Sequence, residues 1–265
     1  MPGRVAVPVF PGTNSEEETV RACLAVGLET RLVHWSAGPK ALLGYDAYVL
    51  PGGFSYEDRV RAGAIAAHDA LMDAVIAQAQ RGKLVLGICN GAQILVESGL
   101  IPGTGPLRRP TVAFAPNKPN GRFICRHVYV KLSVAPERCA MTATLRPDEI
   151  IPMWASHGEG RLAASHDELA RLDRAGYIPF RYCDRLGNVT PEAAPNGSAL
   201  GAAALTNEDG NILGIMPHPE RDAWTYQQRD GAVRLAARGD ATRMLAPAGG
   251  IRLFEGLARA LGVRA

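Results

Sequence analysis

No stretch of this chain approaches the ~18 uninterrupted apolar residues that a membrane-spanning helix needs. Met1-Pro2-Gly3-Arg4 leads straight into the apolar run Val5 to Phe10, without the long apolar region and small-residue cleavage site of a secretory signal. Cysteines are few: Cys23, Cys89, Cys125, Cys139 and Cys183 are odd in number and far apart, with no CxxC pair. This usage argues against a disulfide framework and offers no metal site, and it fits a reducing, cytoplasmic setting. Charge is nearly balanced at +3, spread along the chain apart from Arg108-Arg109 and an Arg-rich tail. Nothing in that distribution points to a nucleic-acid partner. Repeats, low-complexity tracts and a dividing linker are lacking too, so one domain over residues 1–265 is expected.

What is present is an ordinary globular composition, 47% hydrophobic and 21% charged. The first half alternates strands and helices. Arg4 to Phe10 reads as a buried strand ending at Pro11-Gly12. Thr13-Asn14-Ser15 followed by Glu16, Glu17 and Glu18 reads as a helix start, with cap residues first and acids at the positive end of the dipole. Thr30 to Trp35, Ala47 to Leu50 and Lys83 to Ile88 read as further strands, and the Ala-rich segment Val60 to Gln80 as a helix. Strands apolar on both faces and separated by helices predict an α/β fold: an open, mostly parallel sheet with helices on both faces. Functional sites in such sheets lie beyond the carboxyl ends of the strands, here after Phe10, Leu50 and Ile88.

The second half is less regular. Residues 103–121, rich in Pro, Gly and Asn, read as a surface loop, and 231–250 as loop or marginal helix. Phe123 to Val134 reads as a strand, Leu162 to Ala175 as a helix, Ala199 to Leu205 and Ile212 to Ile215 as paired strands, and Ile251 to Leu261 as a closing helix.

Two segments carry chemistry. Gly87-Ile88-Cys89-Asn90-Gly91 has the form G-x-C-x-G between a strand and an apolar helix, the cysteine counterpart of a nucleophile elbow. A sharp turn lifts the sulfur clear of the sheet, the helix N-terminus favours its anionic form, and the free amide of Asn90 can donate to an oxyanion. The plainer reading is a small buried cysteine with glycines present for packing. Met216-Pro217-His218-Pro219-Glu220 follows the apolar strand Ile212 to Ile215. A thiolate attacking an amide needs a proton shuttle, and Glu220, two residues beyond His218, is placed to orient the imidazole. A solvent-facing proline-rich turn is the bland alternative. The enzyme reading requires the Cys89 sulfur to be reachable and close to the His218 ring. His34, His68, His127 and His166 stand without a telling neighbour, whereas His157 lies in the motif Ser156-His157-Gly158.

With Cys89, His218 and Glu220 in place, the chain resembles the class I (triad-type) glutamine amidotransferases, which have a flavodoxin-like fold. Pro51-Gly52-Gly53-Phe54-Ser55-Tyr56, Arg61-Ala62-Gly63, Gly87 to Gln93, Ser156-His157-Gly158-Glu159-Gly160 and Met216 to Arg221 narrow the resemblance. They are similar to the glutaminase subunits of phosphoribosylformylglycinamidine synthase, an enzyme of de novo purine synthesis. The resemblance implies that Cys89 forms a glutamyl thioester, His218 moves protons and Glu220 holds His218. It implies an oxyanion hole at Gly53 and Asn90, and contacts to L-glutamine from Gly52, Gln93, Ser156, His157 and Gly158. His157 is then a positioning group and not a second base.

The implied partners are an ATP-dependent synthetase subunit and a small bridging subunit, with ATP and Mg²⁺ in the partner and no cofactor or metal in this chain. Departures from the family pattern are Ala92, where a larger residue is expected, Glu57, where Gly is frequent, and longer loops at 103–121 and 231–250. Rival readings are an amidotransferase subunit of another biosynthetic synthetase, an elbow-cysteine peptidase or stress protein, and a non-catalytic binding module. The peptidase type places His directly after its cysteine, where this chain has Asn90.

Overall fold

A computed structural model describes residues 3–263. Residues 1–2 and 264–265, which the single-domain expectation includes, lie outside the described residues. In chain order the elements are β1 (Arg4–Val9), α1 (Glu16–Ala25), β2 (Glu29–His34), β3 (Ala47–Leu50), α2 (Ala70–Ala79), β4 (Leu84–Ile88), α3 (Asn90–Glu97) and β5 (Ala113–Pro116). There follow β6 (Ile124–Leu132), β7 (Ile150–His157), β8 (Glu159–Ala163), α4 (His166–Arg174), β9 (Phe180–Cys183), β10 (Ala204–Thr206), β11 (Ile212–Ile215), α5 (Gly231–Ala237) and α6 (Ile251–Ala260).

The principal sheet has six strands in the order β10-β11-β4-β3-β1-β2. All neighbours are parallel except the edge pair β10 and β11. The four residues of β3 and of β11 are all buried, which is why these strands read as unbroken apolar runs. The chain moves outward from β1 to β2 in one direction and from β3 to β4 in the other. Right-handed crossovers therefore set α1 and α2 on opposite faces of the sheet. The carboxyl ends of β3, β4 and β11 lie side by side.

Helix α3 is buried on every side, as expected of a helix packed into a core rather than onto it. Gly91 permits the approach: a Cβ there would come 2.1 Å from the carbonyl oxygen of Leu50. Ala92 is fully buried and faces Gly214 of β11, a contact with little room for a larger side chain.

Several boundaries differ from the sequence expectation. Val60 to Gln80 is not one helix. Val60 has φ 73°, and the helix begins only at Ala70, where the Asp69 carboxylate accepts from the Leu71 amide at 2.7 Å. Segment 103–121 is not merely a surface loop, because it contains β5, paired antiparallel with β8, and the buried Asn117. Ala199–Gly201 is a helical turn, and only Ala204–Thr206 pairs with β11. A second sheet, β7-β6-β9, was visible in sequence only through β6.

Candidate active site

Cys89 sits between the end of β4 and the first turn of α3 with φ 50° and ψ −105°. A non-glycine residue in that region is strained, and such strain clusters where geometry serves chemistry. Its amide is held by the Ile215 carbonyl at 2.8 Å, so the elbow is tied to the neighbouring strand β11. Cys89 is 5% exposed and lines a cavity of about 250 Å³. The cavity is lined as well by Gly53, Gln93, Ser156, His157 and Gly158 from the sequence-predicted set.

His218 follows β11 and is almost wholly buried. Its amide donates to the Trp154 carbonyl at 2.8 Å, which fixes it to β7. The Nδ1 of the ring lies 2.5 Å from Glu220 Oε1. Glu220 is itself fully buried, with Arg221 Nε 3.8 Å from the same oxygen. Burial disfavours a charged ring, but the Glu220 carboxylate and the neighbouring Cys89 sulfur outweigh it and push His218 up to about 10. The far nitrogen, Nε2, has no hydrogen-bond partner among the described residues. The Cys89 thiol donates instead to the Ser156 carbonyl at 3.5 Å. The histidine–glutamate half of the triad is thus hydrogen-bonded, while sulfur and ring are neighbours without a bond between them.

Gly52 and Gly53 have separate tasks. A Cβ at Gly52 would come 2.6 Å from His218 Cε1 and 2.9 Å from Ser15 Oγ, so Gly52 makes room for the imidazole and does not line the cavity. Gly53 does line it, with φ 151°. Asn90 opens α3, and the amide of a first helical residue has no intrahelical acceptor. Gly53 thus borders the cavity, and Asn90 directly follows the sulfur-bearing residue at the helix start. The Asn90 side chain accepts from the Ser55 amide at 3.1 Å and donates to Gln93 Oε1 at 2.9 Å. Gln93 in turn donates to the Glu159 carbonyl at 2.5 Å.

His157 lies at the end of β7, and burial holds its pKa down to about 3, with His218 adding to the effect. It is a neutral ring and is placed by Asn117, whose Oδ1 lies 3.2 Å from His157 Nδ1 and accepts from the Gly160 amide at 3.1 Å. Asn117 Nδ2 donates to the His157 carbonyl at 2.7 Å. Sequence reasoning missed Asn117, Asp58 and Glu159; the last two line the cavity. Glu159 stood inside a quoted motif, and Asp58 followed another by two positions, so both were within reach. Glu57 has φ 59°, a conformation that Gly adopts freely and an L side chain only at a cost. No group of His, Cys, Asp and Glu among the described residues is arranged to hold a metal.

The fold and this cluster define a cysteine-dependent glutamine amidotransferase. A family model described as a CobB/CobQ-like glutamine amidotransferase domain matches residues 2–246. The chain is 43% identical over 221 residues to phosphoribosylformylglycinamidine synthase subunit PurQ of Aquifex aeolicus, covering 82% of this chain and 90% of that protein. It is 42% identical over 218 residues to the subunit of the same name from Pyrococcus horikoshii, covering 82% and 88%. Among solved structures, a chain of PurLQS from Thermotoga maritima is similar with a TM-score of 0.75 at 30% identity, covering 98% of this chain and all of that one. The glutaminase domain of Trypanosoma brucei CTPS shares the fold at 15% identity and a TM-score of 0.57, covering 99% and 95%. The chain belongs to the PurQ family of glutamine amidotransferases.

Proposed function

We propose that the chain is the glutaminase subunit of a phosphoribosylformylglycinamidine synthase and uses Cys89, His218 and Glu220 as its catalytic residues. The observation that carries the reading is Cys89 in an elbow lining a cavity, beside a buried His218 already hydrogen-bonded to Glu220.

The side-chain amide of L-glutamine enters toward Cys89. Cys89 attacks as the thiolate, its proton already held on His218 Nε2, and the sulfur bonds to the amide carbon. The carbonyl oxygen, now negative, is received by the amides of Gly53 and Asn90. His218 returns the proton to the nitrogen, the C–N bond breaks, and ammonia leaves a glutamyl thioester. Water then attacks the thioester with His218 as base, releasing glutamate and the free thiol. Glu220 keeps the imidazole in one orientation and stabilises its charged form throughout.

The ammonia passes to an ATP-dependent synthetase subunit that holds ATP and Mg²⁺, with a small bridging subunit completing the complex; this chain needs no cofactor of its own. A water-poor route matters because free ammonia is mostly protonated near neutrality and then has no lone pair to attack with. Turnover without the synthetase is weak and rises when the complex forms. A cytoplasmic setting fits the free cysteines, and no helix of the described residues is long and apolar enough to cross a membrane. Treatment with a diazo ketone analogue of glutamine, followed by mass spectrometry, tests the centre. An adduct on Cys89 alone supports the reading; no adduct, or one on another cysteine, rejects it.

A further inference from the structure

The cavity above Cys89 is lined by two carboxylates, Asp58 and Glu159, and by no lysine or arginine. The two acids are not equally provided for. Glu159 Oε2 accepts from the Ala62 amide at 3.2 Å, and the Arg61 guanidinium, paired with Glu97, is near enough to feel its charge. Among the described residues Asp58 has a single side-chain donor, Asn90 Nδ2 at 3.3 Å. The neighbouring Arg59 is engaged with the exposed Glu57 at 2.9 Å. Burial, then repulsion from Glu159, pushes Asp58 up to about 6. A half-buried carboxylate beside a like charge, with no cation against it, is a site completed by a positive ligand.

Glutamine brings one. With its amide at the sulfur, the far end of the molecule presents an ammonium and a carboxylate. Only the ammonium is attracted by this lining, which leaves the α-carboxylate to main-chain amides of the Ser156–Gly158 stretch. We infer that Asp58, seconded by Glu159, receives the α-ammonium of glutamine and so makes the cavity selective for an α-amino acid amide. The assignment rests on the glutaminase reading of Cys89. It also gives Asn90 a double part, since its side chain joins Asp58 to Gln93 while its main chain opens the helix behind the sulfur.

The test is the specificity of the assembled synthetase complex for glutamine against glutaramate, which has the same amide and carboxylate but no ammonium. Asp58→Asn lowers kcat/KM for glutamine about tenfold or more, mainly through KM, on the scale of one lost charge-assisted hydrogen bond. It changes the value for glutaramate far less, so the preference between the two shrinks; Asp58→Glu recovers part of that preference. An equal loss on both substrates makes Asp58 a support for Asn90 and overturns the inference, as does no loss on either. Both of those outcomes leave the glutaminase reading standing, because the unmodified complex still turns over glutamine and Cys89 is still labelled. An unmodified complex that does neither overturns both.

Discussion

The main-chain amide of His218 donates to the carbonyl of Trp154 at 2.8 Å, and this bond ties the principal sheet to the second one. Trp154 precedes Ser156 and His157 on β7. His218 and the wall of the cavity are therefore set on one framework, and the imidazole does not depend on its own short turn for placement. Ser156 meets the thiol through its carbonyl, so the same strand positions both partners of the proton transfer.

Replacing Glu220 by Gln is expected to lower kcat roughly a hundredfold or more, because the ring loses its orienting acceptor and the stabilisation of its charge. The change also bears on stability. The folded pKa of His218 is raised to about 10 above the ordinary 6.5. Its contribution is therefore fully present below pH ~6.5 and is lost as pH rises toward 10. Thermal melting of the unmodified protein should fall between pH 7 and pH 10 more steeply than that of the Gln variant. Equal slopes would show that the pair stores no such energy.

Gly52→Ala places a methyl group 2.6 Å from His218 Cε1 and 2.9 Å from Ser15 Oγ. The ring must move or the strand end must shift. Overpacking of this kind costs about 1–3 kcal/mol. The expected result is a modest loss in denaturant stability with a disproportionate loss of kcat. A variant with unchanged kinetics would mean that the ring has slack the structure does not display.

Asn117→Ala removes the side chain that serves the His157 ring, the His157 carbonyl and the Gly160 amide at once. Each buried group left without a partner costs about 1–3 kcal/mol. Urea unfolding should show a loss of more than about 2 kcal/mol, and KM for glutamine should rise because the Ser156–Gly158 stretch loses its anchor. A loss confined to stability would uncouple the anchor from substrate binding.

Glu57→Gly should raise stability by about 0.5–1 kcal/mol. The residue has φ 59°, which an L side chain adopts at a cost and Gly does not. Its one ion pair among the described residues, with Arg59, is between two largely exposed groups and contributes little. The midpoint of denaturant unfolding reads the effect directly, and a lowered midpoint would refute it.

The parallel sheet was legible because β3, β4 and β11 are short apolar runs whose burial is decided locally, by what they are made of. Cys89, His218 and Glu220 were legible because the elbow and the Pro-His-Pro-Glu segment each follow such a run. The second sheet was harder. Strand β7 alternates buried and half-buried residues and contains Pro152, so its pattern is weak in isolation. Asn117 sits among prolines and glycines that favour a loop, and its burial depends on His157 and Gly160, forty residues on. The Ala-rich stretch before α2 has high helix propensity, yet positive φ at Tyr56, Glu57, Asp58 and Val60 and the Asp69 cap delay the helix to Ala70. For Asn117 a distant contact overrode a local preference.

Cys89 comes from the first half of the chain, the Ser156–Gly158 wall of the cavity from the middle, and His218 with Glu220 only after β11. A ribosome that stalls before residue 218 therefore releases a product that carries the sulfur but no proton carrier. Incomplete synthesis yields a silent fragment rather than a leaky one.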